Sequence, residues 1–324
     1  MQRVKGVHHI TAIAGTAQEN LDFYAGVLGM RLVKKSVNQD DPGTYHLFYA
    51  DAEGHPGSDL TFFPWAFLAP PRIGHGMAVE VGLEVPRDSL TFWRSRLEPY
   101  GAALRPAESR FGQTVLPLID PHGLKLALVE TDTPRAFTPW DGSPIPAERQ
   151  IRGLSGAQIW ERDAGTSAAF LTSVLGFEAI ASENGWTRYG FSDAAGVVDI
   201  KQTPDTGRGA WGIGSVHHIA WRVDDDAHQL AVREQVESAG GRATPVIDRF
   251  WFKSVYFKEP GGVLFELATD GPGFATDEDP AHLGESLVLP PWLERQRAEI
   301  ERALPVLAPP AFARPSGELR LGKP

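Results

Sequence analysis

The chain is expected to fold as an α+β protein built from four βαβββ modules. These form two barrel-like domains, with module 1 paired to module 4 and module 2 to module 3. Three observations predict this. Val7-His8-His9-Ile10 returns as Val216-His217-His218-Ile219 more than 200 residues later. A helix signal ending in Val27-Leu28-Gly29-Met30 returns as one ending in Val174-Leu175-Gly176-Phe177. Between the two occurrences lies a proline-rich stretch, Thr133 to Pro146, that suits neither a central strand nor a helix interior.

Module 1, residues 1–70, opens with the strand around His9. Its helix runs from Asn20-Leu21-Asp22-Phe23-Tyr24 to Gly29, where a glycine can take the positive φ of a helix end. Extended segments follow at Tyr45-His46-Leu47-Phe48-Tyr49 and Leu60-Thr61-Phe62-Phe63. Module 2, residues 71–132, begins at Met77-Ala78-Val79-Glu80-Val81, has a helix near Leu90 to Leu97 and closes with Leu124 to Glu130. The linker covers 133–151. Module 3, residues 152–204, opens at Leu154-Ser155-Gly156-Ala157-Gln158 and closes at Val198-Asp199-Ile200-Lys201. Module 4, residues 211–270, begins at His217, has a helix from about Ala227 to Ala239 and closes with Val263-Leu264-Phe265-Glu266-Leu267. A C-terminal extension, 271–324, is broken by prolines around one short helix near Trp292 to Leu304. Its first residues, Gly271 to Thr276, read as a lid or as an ordinary turn.

With 324 residues, 42% of them hydrophobic and 22% charged, the chain can bury two cores rather than one. Its net charge of −10 and lack of basic runs argue against nucleic acid and anionic membrane as partners. There are no cysteines, so thiolate nucleophiles, disulfides and sulfur-ligated metals are excluded. No apolar run reaches membrane-spanning length and no signal-peptide core is evident, so a cytoplasmic protein is expected.

Chemistry concentrates in His9, His218 and Glu266. Two histidines and one carboxylate form the facial triad of a non-haem iron site, which leaves coordination positions open for substrate and dioxygen. Glu266 stands between Phe265 and Leu267, and a carboxylate buried among such neighbours must be paired or bound to metal. The triad also selects the module pairing. If sequence neighbours paired, His9 would be separated from His218 and Glu266, whereas pairing modules 1 and 4 lets all three converge. Modules 2 and 3 leave His75 and Glu130 unmatched, so their barrel is expected to lack metal. Gly207-Arg208-Gly209 and Gly212-Ile213-Gly214 do not stand between a strand and a helix, so no phosphate loop is read there.

The segments His8 to Ile13, Phe23-Tyr24, Val27 to Met30, Arg31 to Asn38, Thr44 to Leu47, Thr61 to Pro64 and Asp248 to Phe257 resemble the vicinal oxygen chelate superfamily. Within it they are similar to the ring-cleaving dioxygenases of hydroquinones and chlorohydroquinones, over about residues 1–270. The resemblance implies Fe(II) on His9, His218 and Glu266, with Mn(II) acceptable to the same ligands. It also implies roles around metal and substrate for His8, Thr11, His217, Arg249 and Tyr256.

The residues themselves leave alternatives for these five. Strand alternation points His8 and His217 to the face opposite the ligands, as packing groups or as donors to them. Thr11 shares the face of His9 and either orients a ligand or simply favours the strand. Tyr256 can donate to a substrate oxygen. Arg249 either offsets phenolate charge or pairs with Asp248. His46 reads equally as a cavity or a rim histidine.

The expected reaction joins a small aromatic diol and dioxygen, with both oxygen atoms entering the product. An extradiol catechol dioxygenase shares the triad. A glyoxalase-type isomerase or lyase needs a second carboxylate, and Thr61-Phe62-Phe63 stands where it is expected. A non-enzymatic protein binding aromatic ligands needs the cavity but no redox metal. Aromatic content and exposed sheet edges are compatible with a homodimer.

Overall fold

In the computed structural model, which describes residues 2–310, the strands lie in two curled sheets. The first stretch contributes β1 (Val7–Ala14), α1 (Ala17–Leu21), β2 (Arg31–Asn38), β3 (Asp41–Ala50) and β4 (Asp59–Pro64). The second contributes β5 (Met77–Pro86), α2 (Leu90–Leu97), β6 (Ala103–Leu104), β7 (Glu108–Arg110), β8 (Gln113–Ile119) and β9 (Lys125–Thr131). After the linker come β10 (Gly153–Glu161), α3 (Ala164–Ser173), β11 (Glu178–Glu183), β12 (Trp186–Gly190) and β13 (Val197–Gln202). Then follow β14 (Val216–Val223), α4 (Asp226–Ser238), β15 (Ile247–Asp248), β16 (Lys253–Lys258) and β17 (Leu264–Thr269), with α5 (Arg297–Ala303) in the tail.

One sheet runs β15-β16-β17-β14-β1-β4-β3-β2, the other β11-β12-β13-β10-β5-β9-β8-β6. The first module therefore joins the fourth, and the second joins the third, as the histidine positions require. In each sheet the opening strands of the two modules pair antiparallel at the centre, and each is flanked by a parallel neighbour from its own module. All eight residues of β1 are buried, which explains its near-continuous apolar character between the two histidines and Ala14.

The first helix departs from the expected regular form. Residues Asp22–Val27 widen into a π segment, with Leu28 N–H donating to Phe23 C=O at 2.8 Å. Gly29, at φ 71°, ends it as expected, and a side chain there would collide with Ile145 and Ser143. Gly176 plays the same part at φ 80° after α3. Asp163 and Asp225 cap α3 and α4 by accepting backbone N–H bonds.

The segment after β17 is anchored rather than free to swing. Fully buried Lys34 donates to Phe274 C=O at 2.9 Å, to Asp277 at 2.7 Å and to Glu278 at 2.5 Å. Phe274 packs edge-on to Phe48, and Asp277 accepts from Trp251 Nε1. This part of the extension buttresses the wall of the first sheet; Pro315 and Pro324 fall outside the described residues. No helix among the described residues is long and apolar enough to cross a membrane.

Candidate metal centre

β1 and β14 meet in antiparallel register, but two bulges interrupt them. Val7 faces Trp221 and His9 faces Ala220, so His8 is an extra residue on β1; Thr11 faces His218 and Ala12 faces Val216, so His217 is an extra residue on β14. A bulge re-aims the side chains around it. Strand alternation alone would send His8 and His217 to the far face. The bulges instead bring each against its neighbour, with His8 Nδ1 2.9 Å from His9 Nδ1 and His217 Nδ1 2.8 Å from His218 Nδ1.

The other ring nitrogens converge. His9 Nε2 lies 3.2 Å from His218 Nε2, and Glu266 Oε2 lies 3.2 Å from the first and 2.9 Å from the second. All three side chains are buried, Glu266 completely. Burial alone would raise the Glu266 carboxyl, but the facing histidines hold it well below its ordinary value, so it is a carboxylate.

Tautomers decide what this cluster accepts. Burial, with His9 adding to it, lowers His8 to about 3, and its remaining nitrogen donates to the Thr269 carbonyl. A neutral His8 bonded this way has a bare Nδ1, which accepts the Nδ1 hydrogen of His9 and leaves His9 Nε2 as a lone pair. Burial and His218 lower His217 to about 3 in the same manner. His9 Nε2, His218 Nε2 and Glu266 Oε2 then converge on one point. A cation there would be held by all three, and His8 and His217 would fix the His9 and His218 rings as outer partners of metal-bound histidines do. His9, His218 and Glu266 are the one such group among the described residues whose ligand atoms all lie within 4.8 Å.

A cavity of about 330 Å³ opens on this cluster. Phe48, Phe63, Trp65, Trp251 and Phe252 make its walls largely apolar, while His46, Arg249, Tyr256 and His217 supply polar atoms. Tyr256 sits directly across from Glu266 on β16, its ring 5.6 Å from that of His218. Burial and Glu266 push its phenol well above the usual range, so it remains protonated. Arg249 stands over the Tyr256 ring at 5.5 Å. Its ion partner is Asp40 of the first module, at 2.8 and 3.2 Å, and not Asp248. Asp248 instead accepts the N–H of Phe250, whose φ of 75° marks the strained turn that delivers Arg249 and Trp251 to the cavity.

His8 and Thr11 do not line the cavity. Thr11 Oγ1 is 2.7 Å from Thr61 Oγ1, which is 2.9 Å from His46 Nε2. His217 does line it, held between Trp211 and Trp65 with ring separations of 4.3 and 5.7 Å. Sequence reasoning missed Ser254, whose hydroxyl donates to Glu266 Oε1 at 2.5 Å. Its place two residues before Tyr256, on the same face of β16, was the available signal.

The same bulges occur in the other sheet, at Ser155 and Val79, but the floor there is filled differently. Arg188 grips Asp199 at 2.7 and 3.0 Å, and Arg110 pairs with Glu80. Glu130, left unmatched by the sequence, accepts the N–H groups of Ser89 and Leu90 at the start of α2.

The sequence matches the Glyoxalase/Bleomycin resistance protein/Dioxygenase superfamily over residues 6–84 and 153–267. It is 44% identical over 304 residues to "Putative ring-cleaving dioxygenase MhqO" of Bacillus subtilis (strain 168), covering 94% of this chain and 96% of that one. It is 33% identical over 313 residues to the chlorohydroquinone/hydroquinone 1,2-dioxygenase of Sphingobium indicum, covering 94% and 97%. The crystal structure of a "putative dioxygenase from Bacillus subtilis subsp. subtilis str. 168" superposes with a TM-score of 0.89 at 43% identity, covering 95% of this chain and 99% of that one.

Proposed function

Since this chain belongs to the Glyoxalase/Bleomycin resistance protein/Dioxygenase superfamily, we propose that it is a ring-cleaving dioxygenase that opens a para-dihydroxy aromatic with O2, using Fe(II) held by His9, His218 and Glu266. The observation that carries this reading is the buried set of three converging side-chain atoms of His9, His218 and Glu266 at the end of an aromatic cavity. The names of the MhqO and Sphingobium relatives support the reaction class.

Held by His9, His218 and Glu266, Fe(II) would bind a phenolic oxygen and O2 and would supply the one-electron chemistry that activates O2. Overall, both atoms of O2 enter the product and the ring bond beside a hydroxyl breaks. The hydroxylated carbon becomes a carboxylic acid, and its neighbour becomes an aldehyde where it carries hydrogen.

The chain's own groups prepare this change. Arg249 stays cationic and offsets the charge of a phenolate bound beneath it. Tyr256, a protonated phenol facing Glu266, donates to an oxygen at the centre. With its Nδ1 lone pair turned to His218, His217 presents Nε2–H to the cavity, whereas His8 spends the equivalent hydrogen on Thr269. Phe63, Trp65, Trp251 and Phe252 exclude water from the reacting ring. Thr61 in place of a second carboxylate disfavours the isomerase reading.

The test is oxygen uptake by anaerobically Fe(II)-loaded protein with hydroquinone, 2-chlorohydroquinone, catechol and the methylglyoxal–glutathione adduct. Uptake with a para-diol, abolished by His218→Ala, is expected. Iron binding with no uptake on any diol would refute the proposal, and preference for catechol would move it to the extradiol class.

A further inference from the structure

The pairing of modules 1 and 4 is a pseudo-two-fold repeat, and its register identifies which residues are counterparts. Ile10 faces Leu60 and Thr11 faces Thr61 in one module; Ile219 faces Phe265 and Ala220 faces Glu266 in the other. With Ile10 and Ile219 equivalent, Thr61 is the counterpart of Glu266. On the next strand Phe48 faces Thr61 as Tyr256 faces Glu266. Two residues earlier on each strand stand His46 and Ser254. Their bonds repeat as well: Ser254 Oγ reaches Glu266 at 2.5 Å and His46 Nε2 reaches Thr61 at 2.9 Å.

The module 1 side of the centre has therefore exchanged a carboxylate for a short hydroxyl, and a serine for a much larger imidazole. The exchange opens space beside the triad and fills its edge with a ring whose orientation is set. Phe48 and Phe63 hold the His46 ring at 3.8 and 4.4 Å, and Thr61, itself bonded to Thr11, fixes Nε2. Among the described residues Nδ1 makes no hydrogen bond, although the ring lines the cavity next to apolar walls. A polar atom presented to an apolar site is costly unless a ligand matches it.

We propose that His46 is a specificity-determining residue that hydrogen-bonds, through Nδ1, a second oxygen substituent of the aromatic substrate. The proposal rests on the para-diol reading above. The oxygen at the triad is served by Tyr256, Arg249 and His217, all on the module 4 side; the pseudo-two-fold axis places His46 on the opposite side, where Asn38, Gln39 and Asp40 also line the cavity and His46 is the ring clamped in place by Phe48 and Phe63. Burial holds His46 well below its ordinary pKa, so the ring is neutral and one nitrogen is always an acceptor. A hydroxyl both donates and accepts, and it suits either tautomer.

The experiment compares anaerobic calorimetric binding of hydroquinone and of phenol, which lacks the second oxygen, to the Fe(II)-loaded wild type, His46→Leu and His46→Asn. His46→Leu is expected to weaken hydroquinone about tenfold, the net worth of one hydrogen bond, and to leave phenol unchanged. Unchanged phenol binding also shows that the variant is folded. His46→Asn, whose amide reaches the position of Nδ1, keeps part of the preference. In turnover the loss appears in KM and not in kcat. Equal weakening of both ligands, or of neither, would overturn the assignment. A wild type that binds and cleaves no para-diol would instead overturn the reading on which it rests.

Discussion

Ser254→Ala probes how strongly the fold orients the carboxylate of the triad. Glu266 is completely buried, with Oε2 directed at the two histidines and Oε1 accepting from Ser254 at 2.5 Å. Among the described residues no other group donates to Oε1. A hydrogen bond to a charged group contributes about 1.5–3 kcal/mol, which corresponds to roughly 10- to 150-fold in affinity. Loss of an outer partner of a metal ligand typically costs about 10- to 100-fold, so the two estimates agree. Competition against a chromophoric chelator, under anaerobic conditions with Fe(II) and again with Mn(II), measures the change directly. Metal affinity is expected to fall by about one to two orders of magnitude while the secondary structure stays intact. Affinity within about twofold of wild type, less than one net hydrogen bond typically contributes, would refute the view that Ser254 holds the carboxylate in place.

Three further outcomes are expected. Tyr256→Phe removes the protonated phenol facing Glu266, and kcat is expected to drop about 10²-fold or more with little change in KM; unchanged turnover would remove Tyr256 from proton handling. Lys34→Met leaves Asp277 and Glu278 against a buried methyl group, and should cost about 3–5 kcal/mol by urea denaturation, whereas a loss below about 1 kcal/mol, the worth of an exposed ion pair, would mean the anchor is solvated. Glu161, buried and beside Glu259, has its carboxyl pushed up to about 9. The folded protein thus keeps a proton that the unfolded chain releases in the ordinary carboxylate range. That contribution is complete at acid pH and declines by at most about 1.4 kcal/mol per pH unit until pH reaches about 9. Glu161→Gln cannot titrate, so its stability should fall less from neutrality to mild alkali, and parallel profiles would contradict the assignment.

The repeated Val-His-His-Ile openings made the fold legible, because only one pairing of modules lets His9, His218 and Glu266 meet, and the sheet order follows it. Glu266 was readable for a related reason: a carboxylate between Phe265 and Leu267 has to be satisfied locally. The bulges were not readable. Inserting one residue into an antiparallel pair leaves the alternation of the strand itself unchanged, so His8 and His217 looked directed away from the His9 and His218 rings they touch. Arg249 showed its acidic neighbour in sequence, Asp248, but not Asp40, which only the β2–β3 turn brings near. Ser254, Thr61 and His46 are ordinary strand residues until the register of both modules reveals them as counterparts. The π segment at Asp22–Val27 likewise has no local marker, since its residues carry the same apolar period as a regular helix.

The central claim concerns the fate of dioxygen at the His9, His218 and Glu266 centre. Fe(II)-loaded protein turning over hydroquinone under isotopically labelled O2, with the product examined by mass spectrometry, tests it most directly. The account predicts a ring-opened acid that carries both labelled atoms, before any exchange of the aldehyde oxygen with water, and no product from His218→Ala. Formation of benzoquinone without label would contradict it, because dioxygen would then serve only as an electron acceptor and the ring would stay closed.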